Sequence, residues 1–175
     1  MSDPRIIINS NRSRSAYNIG VDSLSLPLEG DIEPVHLSGV VLLAVPDELR
    51  NICVPSIYND EVGGSIPLTK AIIELSFSAE WPGGGRTETM TVQKVIFATN
   101  ELTFVDVPFD LILNSGSGEP MPSPIVSVTV TRFVDECGNN LLQPDTSRIS
   151  LTAEWNKAPT NVCTPCLLPQ NLKKK

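Results

Sequence analysis

Four cysteines and a single histidine are the side chains of this 175-residue sequence with the most chemistry open to them. Cys53 and Cys137 stand in the body of the chain beside turn-rich segments, whereas Cys163 and Cys166 form a Cys-x-x-Cys pair in a proline-bearing tail. A thiol pair at this spacing suits metal ligation, thiol–disulfide exchange or covalent cross-linking. A zinc site made of cysteines ordinarily draws its ligands as two close pairs, and only one is present. A redox pair belongs at the start of a helix in a βαβ unit, a setting that Pro165 and Pro169 oppose. Inert reduced thiols are the plain alternative. The sharper expectation is cross-linking between subunits through Cys163, Cys166, Cys53 and Cys137, because an extended tail with two thiols can reach a neighbouring chain.

His36 is the only histidine, so one chain cannot build a multi-histidine metal centre, and acid–base catalysis has one candidate. Serines and aspartates are plentiful, but no Gly-x-Ser-x-Gly elbow accompanies them, and a histidine beside a strand is ordinarily a surface residue. Gly83, Gly84 and Gly85 lack the Lys-Ser/Thr sequel of a phosphate loop and read as a turn. Asp60, Glu61, Asp106, Asp110, Asp135 and Glu136 do not have the spacing of a calcium loop. No catalytic residue, cofactor or metal is therefore expected. Twenty acidic against thirteen basic side chains give a net charge of −7, the wrong sign for neutralising phosphates, so nucleic acid is not an expected partner.

The elements that must position these side chains are strands. Fifteen prolines and eleven glycines are spread through the chain, and no window repeats apolar residues at helical spacing over three turns. Ile73, Leu75, Phe77, Ala79 and Trp81 alternate with Glu74, Ser76, Ser78 and Glu80, which places the first set on one face of a strand. Pro82 and the glycines then turn the chain, and 87–97 returns as the second arm of a hairpin. Met90 and Val92 differ in parity from Val95 and Phe97, so a bulge near Gln93 and Lys94 is expected to keep both pairs inward. Segment 102–113 reads as a strand in which Pro108 marks an edge, a bulge or a bend. Segment 114–124 reads as an exposed loop. Strands at 125–133 and 148–155 place Val126, Val128 and Val130 on one face, and Ile149, Leu151, Ala153 and Trp155 on another. The more continuously apolar 35–45 reads as a strand covered on both faces, and 46–69 as a long connection with one helical turn at 46–50.

With 41% hydrophobic and 19% charged residues, the chain has the composition and length of one globular domain. The expected architecture is all-β: a single β-sandwich or jelly-roll-like domain of about seven to nine strands with extended terminal arms. An N-terminal arm is expected at 1–18, the domain at 19–157 and a cysteine-containing tail at 158–175. Trp81, Trp155, Phe77 and Phe97 are the expected core markers. The segments 76–81 and 150–155 match in residue class at every position, each ending an alternating strand in Ala-Glu-Trp. Asp47, Glu48 and Asn51 similarly resemble Asp135, Glu136 and Asn139. A duplicated β unit would explain both echoes, and so would independent short strands. The first residues carry an acid and only the short run Ile6, Ile7, Ile8, unlike a secretory signal, and no apolar stretch reaches the length of a membrane helix. Synthesis in the cytoplasm without a signal peptide, and no membrane span, are expected.

In the middle of the chain Lys94-Val95-Ile96-Phe97, a polar turn, and Val105-Asp106-Val107-Pro108-Phe109 followed by an apolar strand resemble the SPOCS domain of bacterial spore-coat morphogenetic proteins. Leu37-Ser38-Gly39-Val40-Val41 is similar to that family's Gly-Val opening strand, and 127–131 and 150–153 to its later strands. The Trp81 to Arg86 hairpin has no counterpart in the family pattern, and no peptidoglycan-binding module accompanies the domain. The resemblance implies a non-enzymatic protein of the spore envelope (coat, exosporium or appendage), assembled by contacts between β domains in a setting that becomes oxidising and preserves disulfides. The resulting expectation is a structural protein forming homo-oligomers or polymers, with other spore-surface proteins as further partners. Its contacts would run through edge strands or terminal arms. A phage virion or tail structural protein and a surface adhesin module are the alternatives.

Overall fold

Alternating apolar and polar side chains build the strands of the computed structural model, which describes residues 5–10, 12–45, 56–59, 65–97, 103–143 and 146–157. Eleven strand segments follow one another: β1 Arg5–Ser10, β2 Ser13–Ile19, β3 Ser23–Pro27, β4 Asp31–Ala44, β5 Ser56–Asn59, β6 Ser65–Trp81, β7 Gly84–Phe97, β8 Phe104–Leu113, β9 Met121–Pro122, β10 Ile125–Val134 and β11 Arg148–Lys157. They form two antiparallel sheets. Sheet A runs β1-β2-β11-β4-β8, with β9 also paired to β4. Sheet B runs β3-β10-β6; one edge of β6 is paired by β10 and, nearer its start, by the short β5, and the other edge is paired by β7, so that Leu68 has Ser56 of β5 on one side and Phe97 of β7 on the other. The described residues hold no helix, and the expected all-β sandwich is what the chain forms.

The core lies between the sheets. Val35, Leu37, Val41 and Leu43 of β4 and Val107 and Phe109 of β8 face Ile73, Leu75 and Phe77 of β6 and Val126, Val128 and Val130 of β10, all buried. The Phe77 and Phe109 rings meet at 5.0 Å between centroids and 52°, a tilted contact of the kind aromatic pairs favour. Phe109 lies opposite Gly39 in the β4–β8 ladder. A Cβ at Gly39, whose φ is +154°, would run into the Ser150 carbonyl oxygen and come within 2.9 Å of Phe109 Cζ. Glycine is required there because three strands and a ring converge on one backbone position.

The β6–β7 hairpin turns at Pro82 and Gly83, with Trp81 paired to Gly84 and Gly83 at φ +87°. Proline followed by a left-handed glycine suits the two central positions of a type II turn. The indole of Trp81 covers Gly84, whose Cβ would fall 2.6 Å from Trp81 Cε2.

Several expectations change. The bulge expected near Gln93 and Lys94 does not form: β7 pairs with β6 in unbroken register from Gly84 to Phe97. Met90, Val92 and Ile96 share the inner face, and Val95 points out, 52% exposed. The bulge sits in β10, where the register shifts between Val130 and Arg132. Thr131 is the extra residue, and the shift brings Phe133 into the buried row of Val126, Val128 and Val130, as a one-residue insertion does to a period of two. Strand β4 is hydrogen-bonded on both edges, yet it is not covered on both faces, because Val40 and Leu42 remain half-buried. Pro108 does lie on an edge strand, β8. In the expected loop 114–124, Met121 is fully buried and pairs with Ile32 through β9.

The segment read as an N-terminal arm is, over most of its length, the β1–β2 hairpin of sheet A, and Ala16 belongs to the core. Residues 46–50 and the tail 158–175 lie outside the described residues, as do Asp47, Glu48 and Asn51 of the second echo.

Candidate functional site

Two surfaces bring together side chains or backbone groups with something to do: the rim of sheet B and a groove on sheet A. The rim is β7. Its inner edge is paired to β6, and among the described residues no strand pairs its outer edge. The strand is fourteen residues long and contains no proline. Gly84 to Thr89 are exposed on both faces. Such an edge presents a row of backbone donors and acceptors ready for another strand.

The side chains of β7 divide by parity. Thr87, Thr89, Thr91, Gln93 and Val95 face solvent, and Arg86, Glu88, Met90, Val92, Lys94 and Ile96 share the face that β6 turns inward. Met90 and Val92 pack against the core. Arg86 Nη2 lies 3.4 Å from Glu88 Oε2 in an exposed ion pair, a contact of small energetic weight in water.

The other rims differ. β8 carries Pro108 at mid-strand, with Asp106 and Asp110 on its exposed face. β3 has five residues and ends at Pro27, and β1 has six. Proline, short length and charge are the usual means of blunting an edge.

The groove on sheet A has a volume of about 510 Å³ and is lined by Arg12, Ser13, Pro34, His36, Ile112, Glu154 and Trp155. Its chemistry is set by register: Glu154 of β11 lies opposite both Ser13 of β2 and His36 of β4, and His36 lies opposite Ile112 of β8. His36 is held between two carboxylates, with Nε2 against Asp110 Oδ1 and Nδ1 3.7 Å from Glu154 Oε1. Both carboxylates are largely exposed, so these are surface ion contacts. Each ring nitrogen already faces a carboxylate, and the imidazole thus tethers three adjacent strands. The carboxylates flank the ring on its two sides rather than converging on one point, and among the described residues no group of His, Cys, Asp and Glu is arranged to hold a metal ion.

Cys137 is disulfide-bonded, and its partner is outside the described residues, as are Cys53, Cys163 and Cys166. The turn that carries Cys137 is organised by Asp135, whose buried carboxylate accepts hydrogen bonds from the backbone N–H of Cys137 and of Asn139 at 2.9 Å and from Asn139 Nδ2 at 3.0 Å. Gly138 completes the turn at φ +85°. Glu136, the next residue, accepts from the Lys70 backbone N–H at 2.9 Å, tying the turn to β6.

Of the core markers, Phe77 is buried at 1% exposure. Trp81 and Trp155 are half-buried at strand ends and pack against the core from its rim. Phe97 ends β7, and its side chain lies outside what is described. The groove and the rim both escaped the sequence reading. Alternation puts Glu154 on the outer face of its strand, but nothing in the sequence states that β11 and β8 flank β4 with His36 between Glu154 and Asp110.

The chain matches no protein-family model and no curated protein. Among the described residues no helix is long and apolar enough to cross a membrane.

Proposed function

We propose that this chain is a non-enzymatic structural protein that associates with copies of itself through sheet rims. The observation that carries this reading is the outer edge of β7, fourteen residues of proline-free strand that no described strand pairs. The contrast with β8, which carries a proline at mid-strand, and with the short β3 and β1 supports it, since the β7 rim is both long and free of proline. The engagement of both His36 nitrogens by carboxylates supports a strand-tethering role for the one residue that could have led acid–base chemistry. Disulfides from the tail cysteines Cys163 and Cys166 would reinforce contacts made by the rims, and a spore-surface layer or appendage is the setting that the SPOCS resemblance implies.

The test is sedimentation and electron microscopy of the full chain with and without reductant. Species larger than the monomer in both conditions, with more heat-resistant assemblies in the absence of reductant, are expected. A monomer under both conditions at every concentration overturns the reading.

A further inference from the structure

We infer that the occupant of the β7 rim is the β7 strand of a second copy, laid antiparallel about a two-fold axis with Thr91 opposite Thr91. This inference rests on the self-association reading and specifies its partner and register.

Two antiparallel copies of one strand can meet only in registers that keep inner faces together, because a slip by one residue would set the inner row of one copy against the outer row of the other. Among the allowed registers, two overlap nearly the whole of Gly84–Phe97. Centring on Met90 sets Arg86 opposite Lys94 twice. Like charges directly opposed are destabilising. Centring on Thr91 sets Glu88 opposite Lys94 twice, Met90 opposite Val92 twice, and Thr89 opposite Gln93 twice. Every inner-face charge except Arg86 then meets its opposite, the two half-buried apolar side chains cover each other, and the outer face becomes one polar threonine-rich surface. Arg86 keeps its own ion pair with Glu88.

The charges on the inner face of β7 therefore have two effects. Arg86, Glu88 and Lys94 oppose an arbitrary strand, since inward charge on an edge disfavours unselected pairing. They favour a strand with the reciprocal pattern, and β7 read backwards has that pattern. Specificity arises because the wrong registers are penalised as well as the right one rewarded. The resulting contact is isologous and closes as a pair, joining two copies of sheet B into one continuous sheet. Extension beyond the pair falls to another surface.

The experiment uses the full chain carrying Cys163→Ser and Cys166→Ser, so that tail disulfides do not mask the contact. Association is read by sedimentation and folding by circular dichroism. Glu88→Lys sets lysine opposite lysine at both contacts, and Lys94→Glu sets glutamate opposite glutamate. Each single variant is expected to associate at least about tenfold more weakly while remaining folded. An equimolar mixture of the two variants restores association: in the mixed pair one contact joins the two introduced side chains, lysine to glutamate, and the other joins the native Glu88 and Lys94. If the single variants associate as the parent does, or the mixture stays dissociated, the register is overturned while self-association through another surface stands. If the parent protein is itself monomeric, the self-association reading falls together with it.

Discussion

Sheets A and B are built on the same plan up to their last strand. Strand β11 in sheet A and strand β6 in sheet B carry the echoed segments ending in Trp155 and Trp81, and each is an inner strand. Thr152 of β11 hydrogen-bonds Ser15 of β2 at 3.0 Å, and Ser78, its counterpart in β6, hydrogen-bonds Ser127 of β10 at 2.6 Å. On its other side β11 is paired by β4, and β6 is paired by β7. There the likeness ends. Strand β4 is covered in turn by β8, whereas among the described residues nothing pairs the outer edge of β7. The strand that closes sheet A carries Pro108 and two exposed aspartates, and the strand that ends sheet B is longer and free of proline. A rim of that kind is a template for a further strand, and it is the surface through which the proposed self-association would run.

The comparison can be broken most forcefully from the inside. Phe77→Ala empties a core position shared by both sheets and is expected to cost about 3–5 kcal/mol in chemical denaturation, whereas Val95→Ala on the exposed face of β7 should change stability by less than about 0.5 kcal/mol. Comparable losses from the two would mean that the β7 outer face is packed after all. Gly39→Ala strikes the junction of β4, β8 and β11 and should cost about 2–4 kcal/mol through backbone clash. Gly85→Ala in β7, where a new Cβ would meet nothing closer than 3.8 Å, should cost under about 1 kcal/mol in the same assay.

The two echoed strands offer a finer measurement. Ser78→Ala and Thr152→Ala each remove one hydroxyl pair between matched strands, and each should cost about 0.5–1.5 kcal/mol. A loss confined to one of them would show that the two sheets do not use the pair alike. The smallest effect on folding is expected from Pro108→Thr, which should leave stability within about 0.5 kcal/mol. It restores a backbone donor to the rim of sheet A and should add sedimenting species larger than those of the parent. Unchanged association would show that Asp106 and Asp110, rather than the proline, guard that rim.

How much of this was legible beforehand depends on how local the signal is. The alternation in 73–81, 126–130 and 149–155 is a property of adjacent residues, and those strands bury the faces it designates. The Pro82 to Gly84 turn is equally local. The misplaced bulge shows the limit of such reading. The parity change between Met90 and Val95 invited a bulge, but Val95 is tolerated on an exposed rim. The parity change between Val130 and Phe133 required one, because both positions face the core. Which apolar residue can be left outside is decided by what lies across the sheet. The His36 contacts and the burial of Met121 were illegible for the same reason, since each partner is separated from the other by a long stretch of chain.

By itself, then, the amino-acid order determined a chain of strands and turns, the faces those strands would bury and the absence of helical periodicity, because side-chain alternation and the dihedral limits of glycine and proline act over a few residues. Only the tertiary structure decided strand order, and with it that β8 closes one sheet, that β7 ends the other with an unpaired edge among the described residues, and that His36 sits between two carboxylates. Strand order follows from the long-range packing of two sheets around one core, and no short window of sequence contains both sides of that contact.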